Sequence, residues 1–188
     1  LLMPLFGALF YILWGHNHVP RRARVVMKQV SNRIDETLLQ DTAVMDSLEA
    51  ADRDLGQSAR YLLEHAASPV YPNVHSQYYP LGEDFFPPFL EAIKKAKKYI
   101  FMEYYILEPG MMLDTTVAIL EQKAAEGVDV RLMWDGIGSL FTLPPGYDRM
   151  LRDKGIQCDP FFPIRFTIHV SDYAMLNHRD HRKITVVD

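Results

Sequence analysis

The last eleven residues of the chain, His178-Arg-Asp-His-Arg-Lys-Ile-Thr-Val-Val-Asp188, crowd imidazole, guanidinium, ammonium and carboxylate groups ahead of a β-branched run. Side chains alternate along an extended strand, so His181 and Lys183 point the same way, one pleat apart. An imidazole can attack phosphorus or carry a proton, and a fixed cation beside it compensates the anionic oxygens of a phosphodiester. The pair therefore reads as a catalytic and substrate-binding site for a phosphate group. Asp188 has the opposite parity from Lys183. It is expected to position or ion-pair within the fold, without touching the phosphorus.

Two other carboxylates invite a role. Glu103 lies inside an apolar run, where an unpaired charge is expensive. It either orients a catalytic group or pairs with a buried Arg or Lys. Asp135 follows a strand, where open α/β sheets place ligand contacts, and a loop cap is the equal alternative. His169 and His178 lie close to the motif in sequence, which is weak evidence for a role. His16, His18, His65 and His75 are scattered, without the paired spacing of a metal site. The only cysteine, Cys158, excludes an internal disulfide and a thiolate cluster. No metal and no cofactor are expected.

The elements that must position these groups follow from periodicity. Glu83 to Lys98 reads as a helix with Phe86, Phe89, Leu90 and Ile93 inward and lysines in its last turn, where they complement the helix dipole. Tyr99 to Leu107 is an apolar and aromatic run suited to a buried strand. Met112 to Glu126 is a helix closed by Gly127, and Val128 to Trp134 a second strand. Tyr147 to Lys154 and Ile156 to Phe162 repeat the helix–strand pair. The cluster Phe161, Phe162, Ile164, Phe166 and Ile168 is core or a membrane-dipping loop. Alternation of this kind implies βαβ units: an α/β domain over 68–188, with a mostly parallel sheet and helices on both faces.

Ahead of it, residues 1–15 (LLMPLFGALFYILWG) carry no charge. They are short of the about 20 apolar residues that span a bilayer, and read as part of a transmembrane helix. Arg21, Arg22, Arg24 and Lys28 follow, which places the rest of the chain on the cytoplasmic side. Residues 16–67 form a basic juxtamembrane segment and amphipathic helical arm, with Val26, Val30, Ile34 and Leu38 at four-residue spacing and Gly56 as a break or a weak point. Leu1 and Asp188 both read as cut ends. A length of 188 residues with 48% apolar content fills one domain plus some extra length, and a net charge of -4 argues against nucleic acid as a partner.

The spacing His-x-Lys-x4-Asp at His181, Lys183 and Asp188 resembles the signature of the phospholipase D superfamily. From about Leu55 the resemblance to bacterial cardiolipin synthases is broader. The segments ARYLLEHAASPVY, YYPLGEDFF, EAIKKAKKYIFMEYYIL, EGVDVRLMWDGIGS and NHRDHRKITVVD fall in that family's order. The resemblance implies a phospholipase D-like domain, the N-terminal half of a cell-membrane enzyme with a second such half in cis. It implies metal-free transfer in two steps, through a phosphatidyl-histidine, from one phosphatidylglycerol to another, with glycerol released. His181 becomes nucleophile or general acid/base, Lys183 a phosphate clamp and Asp188 a support. Phosphatidylglycerol and anionic lipid are the implied partners. One motif without its second copy is expected to be inactive. A phospholipid hydrolase and a membrane-tethered module without activity are the alternatives.

Overall fold

The structure, a computed structural model, describes residues 4–14, 21–72, 74–163 and 179–188. It divides into two compact units, one of Leu1–His18 with Tyr79–Asp188 and one of Val19–Tyr78.

The Val19–Tyr78 unit holds helices α2 (Arg21–Thr37), α3 (Thr42–Ala51) and α4 (Arg53–Ala66). Asp41 caps α3 by accepting from Ala43 N at 2.9 Å, and Asp52 caps α4 by accepting from Asp54 N and Leu55 N, each at 3.0 Å. The helical reading of the arm holds, with one correction. Gly56 is no break: it lies buried inside α4, where an added Cβ would sit 2.8 Å from Glu49 Cα. It lets α3 and α4 pack closely, and the chain breaks instead at Asp52.

The other unit begins with α1 (Pro4–Trp14), an 11-residue helix about 16 Å long at ~1.5 Å per residue. A bilayer core is about 30 Å thick. No helix among the described residues is long and apolar enough to cross a membrane.

The α/β part runs α5 (Gly82–Lys95), β1 (Tyr99–Tyr104), α6 (Met111–Ala125), β2 (Asp129–Asp135), α7 (Tyr147–Asp153), β3 (Gln157–Phe161) and β4 (Ile184–Val187). The sheet order is β3-β2-β1-β4. β1–β2 and β2–β3 are parallel, whereas β4 runs antiparallel to β1 with Glu103 opposite Ile184 and Ile100 opposite Val187. The sheet is thus mixed, with two parallel pairings and one antiparallel, in keeping with a mostly parallel sheet.

Alternation along the strands separates two faces. Ile100, Met102, Val130, Leu132, Trp134 and Cys158 pack with Ile93 of α5, Leu120 of α6 and Leu151 of α7 in one core. The opposite face carries Phe101, Glu103, Arg131, Met133, Ile184 and Val186, which line an open concavity of about 410 Å³. Among the described residues, α5, α6 and α7 all share the first core. β2 alternates Val130, Arg131 and Leu132 and so gives the sheet one polar side.

Candidate active site

The antiparallel direction of β4 decides where the motif lies. Residues 179–183 enter β4 beside the C-terminal end of β1, at the rim where parallel sheets bring their loops together. His181 and Lys183 precede the regular strand, yet keep its alternation. The Lys183 ammonium donates to His181 Nδ1 at 2.9 Å and to the His181 carbonyl oxygen at 2.5 Å. Both rest on Tyr105, whose ring centroid is 4.3 Å from that of His181 and 5.2 Å from Lys183 Nζ. Both are exposed. An imidazole and an ammonium are thus held in contact, open to an incoming anion.

Asp188 is not brought to this pair. Its carboxylate accepts from the backbone N–H groups of Lys97 (3.1 Å), Lys98 (2.9 Å) and Tyr99 (3.0 Å). The Tyr99 N–H, then that of Lys98, holds its carboxyl below the usual range. It fastens the start of β1, whereas His181 sits past the end of β1, about 20 Å away at ~3.3 Å per residue.

What holds the motif segment is a buried ionic network. Asp135, fully buried, closes β2 and turns the next loop, its Oδ1 accepting from Ile137 N at 2.9 Å and Gly138 N at 2.8 Å. The same carboxylate accepts from Arg179 Nη1 at 3.1 Å and from Asp180 N at 2.9 Å. Of the two sequence readings of Asp135, the loop cap is the one seen, and the same carboxylate also anchors the motif segment. Asp180, 4% exposed, accepts from Arg182 N at 3.2 Å and Arg182 Nε at 3.0 Å. The Arg182 guanidinium pairs in turn with Glu103. Burial, aided by a hydrogen bond to Asp180, pushes the Glu103 carboxyl up to about 7 against the pull of Arg182. Burial also acts to raise Asp180, but hydrogen bonds from Glu103 and Arg182 outweigh it and hold Asp180 low. Glu103 thus finds a basic partner, though Arg182 is largely exposed and not the buried cation its structural reading called for.

Asp180, Arg179 and Tyr105 were not singled out from sequence. An acid two residues before an arginine, Asp180-His-Arg182, is a usable local signal for a turn, but nothing local marks Tyr105. His65 and His75 lie in the Val19–Tyr78 unit. His16, His18, His169, His178, Ile164, Phe166 and Ile168 lie outside the described residues. Among the described residues no three His, Cys, Asp or Glu side chains group as a metal site would need.

The loop after β2 must come very close to Tyr105. A Cβ on Gly138 would lie 2.5 Å from the Tyr105 carbonyl oxygen and 3.0 Å from its ring. Gly138→Ala is expected to cost about 1–3 kcal/mol by overpacking. Urea unfolding measures it, and an unchanged midpoint would contradict the close approach.

No family model matches the chain. It is 35% identical over 191 residues to cardiolipin synthase 2 of Bacillus anthracis, an alignment that covers 100% of this chain and 36% of that protein. With a cardiolipin synthase of Geobacillus it shares 33% over 192 residues, covering 98% of the chain and 36% of the relative. An uncharacterized Streptococcus mutans protein is 36% identical over 189 residues, 98% of the chain and 39% of that protein. Similar end to end to proteins named cardiolipin synthase, and spanning little more than a third of their length, the chain belongs to the bacterial cardiolipin synthase family.

Proposed function

We propose that this chain is the N-terminal, phospholipase D-like half of a membrane phosphatidyltransferase that makes cardiolipin from two phosphatidylglycerols. The supporting observation is the contact between the Lys183 ammonium and His181 Nδ1 on an exposed rim. In the first step a histidine nitrogen bonds to phosphorus, the bond to the glycerol oxygen breaks, and a second histidine gives that oxygen its proton. In the second step the free hydroxyl of another phosphatidylglycerol attacks, the P–N bond breaks, and the proton returns to the second histidine. Splitting one displacement into two lets each phosphodiester form at the expense of another bond of similar energy. The second histidine belongs to a further half in cis.

Lys183 suits both histidine roles. An ammonium has donors only, so while it donates to Nδ1 the neutral ring carries its proton on Nε2; with Nδ1 freed and protonated as well, the imidazolium can give its Nε2 proton to a leaving alkoxide. Once a phosphate oxygen draws the ammonium away, the proton can move to Nδ1 and leave Nε2 bare for attack. Asp188 supports the fold at the base of β1. The uncharged segment around α1 anchors the protein in the bacterial cell membrane, and the basic residues after it face anionic lipid on the cytoplasmic side.

Incubating the full-length protein with phosphatidylglycerol vesicles tests this. Cardiolipin and glycerol in equal amounts are expected. Phosphatidic acid without cardiolipin would identify a hydrolase, and no product would identify a membrane-tethered module without activity.

A further inference from the structure

We propose that Glu103 is a positioning residue for His181 and Lys183, acting through Asp180 and Arg182 on the turn that displays them. The inference rests on the reading of His181 and Lys183 as the reacting pair.

The geometry is a clamp on both sides of His181. Ahead of it, Asp180 N is held by buried Asp135. Behind it, Arg182 N is held by Asp180 Oδ1. Asp180 Oδ2 is buried and takes no donor from a backbone N–H or a basic side chain among the described residues. Glu103 comes to the same cluster from β1 and pairs with Arg182. Its carboxyl, raised to about 7 by burial and by hydrogen bonding with Asp180, holds a proton below that pH and can donate it to Asp180. With that proton, Glu103, Asp180 and Arg182 sum to zero charge. Without it, the cluster carries one uncompensated negative charge in a partly buried place, and the bond to Asp180 is gone.

The groups facing Glu103 bear this out. Asp180 and Arg182 come from the motif segment. The open concavity adds Arg131 of β2 and Asp159 of β3, both exposed and already paired, with Asp129 and with Arg152. Opposite Glu103 on β4 stands Ile184, and on β2 Met133, neither charged. The sign of the pH dependence follows. A carboxyl raised from 4.5 to about 7 on folding adds stability that is full below 4.5 and is lost as the pH rises through about 7. The clamp is expected to tighten on the acid side of neutrality and to slacken above it.

The test is kcat and KM for cardiolipin formation by the full-length protein from about pH 6 to about pH 9. Wild type is expected to lose kcat through an alkaline limb near 7. Glu103→Gln donates to Asp180 and accepts from Arg182 at every pH, so it is expected to keep the acid-side kcat and to lack that limb. Glu103→Ala is expected to lower kcat about 10- to 100-fold, as a displaced catalytic group does, with KM changed less than about twofold. An alkaline limb unchanged in Glu103→Gln, or a wild-type kcat in Glu103→Ala, would overturn the proposal.

A second readout needs no turnover. The Arg182 backbone amide, labelled with ¹⁵N, is expected to shift with a midpoint near 7 in wild type and to lose that shift in Glu103→Gln. Identical titrations in the two proteins would overturn the clamp even if cardiolipin forms. The expected difference would uphold it even if the lipid reaction proves to be another.

Discussion

His181→Ala in the full-length protein is expected to abolish cardiolipin formation, lowering turnover by about 10,000-fold or more, as losing a nucleophile or its proton carrier does. The fold is expected to survive. His181 is exposed, and among the described residues its side chain meets the Tyr105 ring and the Lys183 ammonium. The backbone on either side stays anchored through Asp180 N on Asp135 and Arg182 N on Asp180. Lys183 also keeps the His181 carbonyl as an acceptor. Turnover with radiolabelled phosphatidylglycerol, together with thermal unfolding and membrane flotation, separates the outcomes. Retained turnover would refute the assigned role. Lost turnover with an unchanged unfolding temperature would place the defect in the chemistry.

Asp135→Ala is expected to damage the protein in the opposite way, costing about 3–5 kcal/mol of stability, the penalty for breaking a buried charged pair. One fully buried carboxylate accepts from two loop amides, from the Asp180 amide and from Arg179. Alanine leaves those donors facing a cavity and releases the motif segment from β2. Asp135→Asn keeps Oδ1 for the loop amides and Arg179 but presents its amide to the Asp180 N–H, and is expected to fall between. Urea unfolding gives the ranking. Asp129→Ala, which removes an exposed partner of Arg131, serves as the control and is expected to leave the midpoint nearly in place. Equal midpoints for Asp135→Ala and Asp129→Ala would show that the network carries no weight.

Where the observed elements depart from their expected bounds, a distant partner is responsible. The helix expected to reach Lys98 stops at Lys95, because Lys97 and Lys98 turn their N–H groups to Asp188, some 90 residues on. The strand expected to reach Leu107 ends at Tyr104: Tyr105 lies under His181, and Leu107 N donates to Ser139 Oγ at 2.9 Å. The alternation of β2 declares one polar face, but the same alternation is hidden in β1, where Phe101 and Tyr99 put aromatic rings on that face. Their rings stack at 5.0 Å, and Arg131 lies over Phe101 at 4.9 Å, so aromatic residues line an open surface there.

Along the chain by itself, helix and strand types and the adjacency of His181 and Lys183 were determined, because each depends on neighbours within a few residues. Only the folded chain decided that β4 runs against β1, that Asp188 ties down the base of the sheet, and that Asp135 and Glu103 converge on the segment carrying His181. Those choices join residues 45 and 89 positions apart. They are made by burial and charge pairing in three dimensions, which no local spacing encodes.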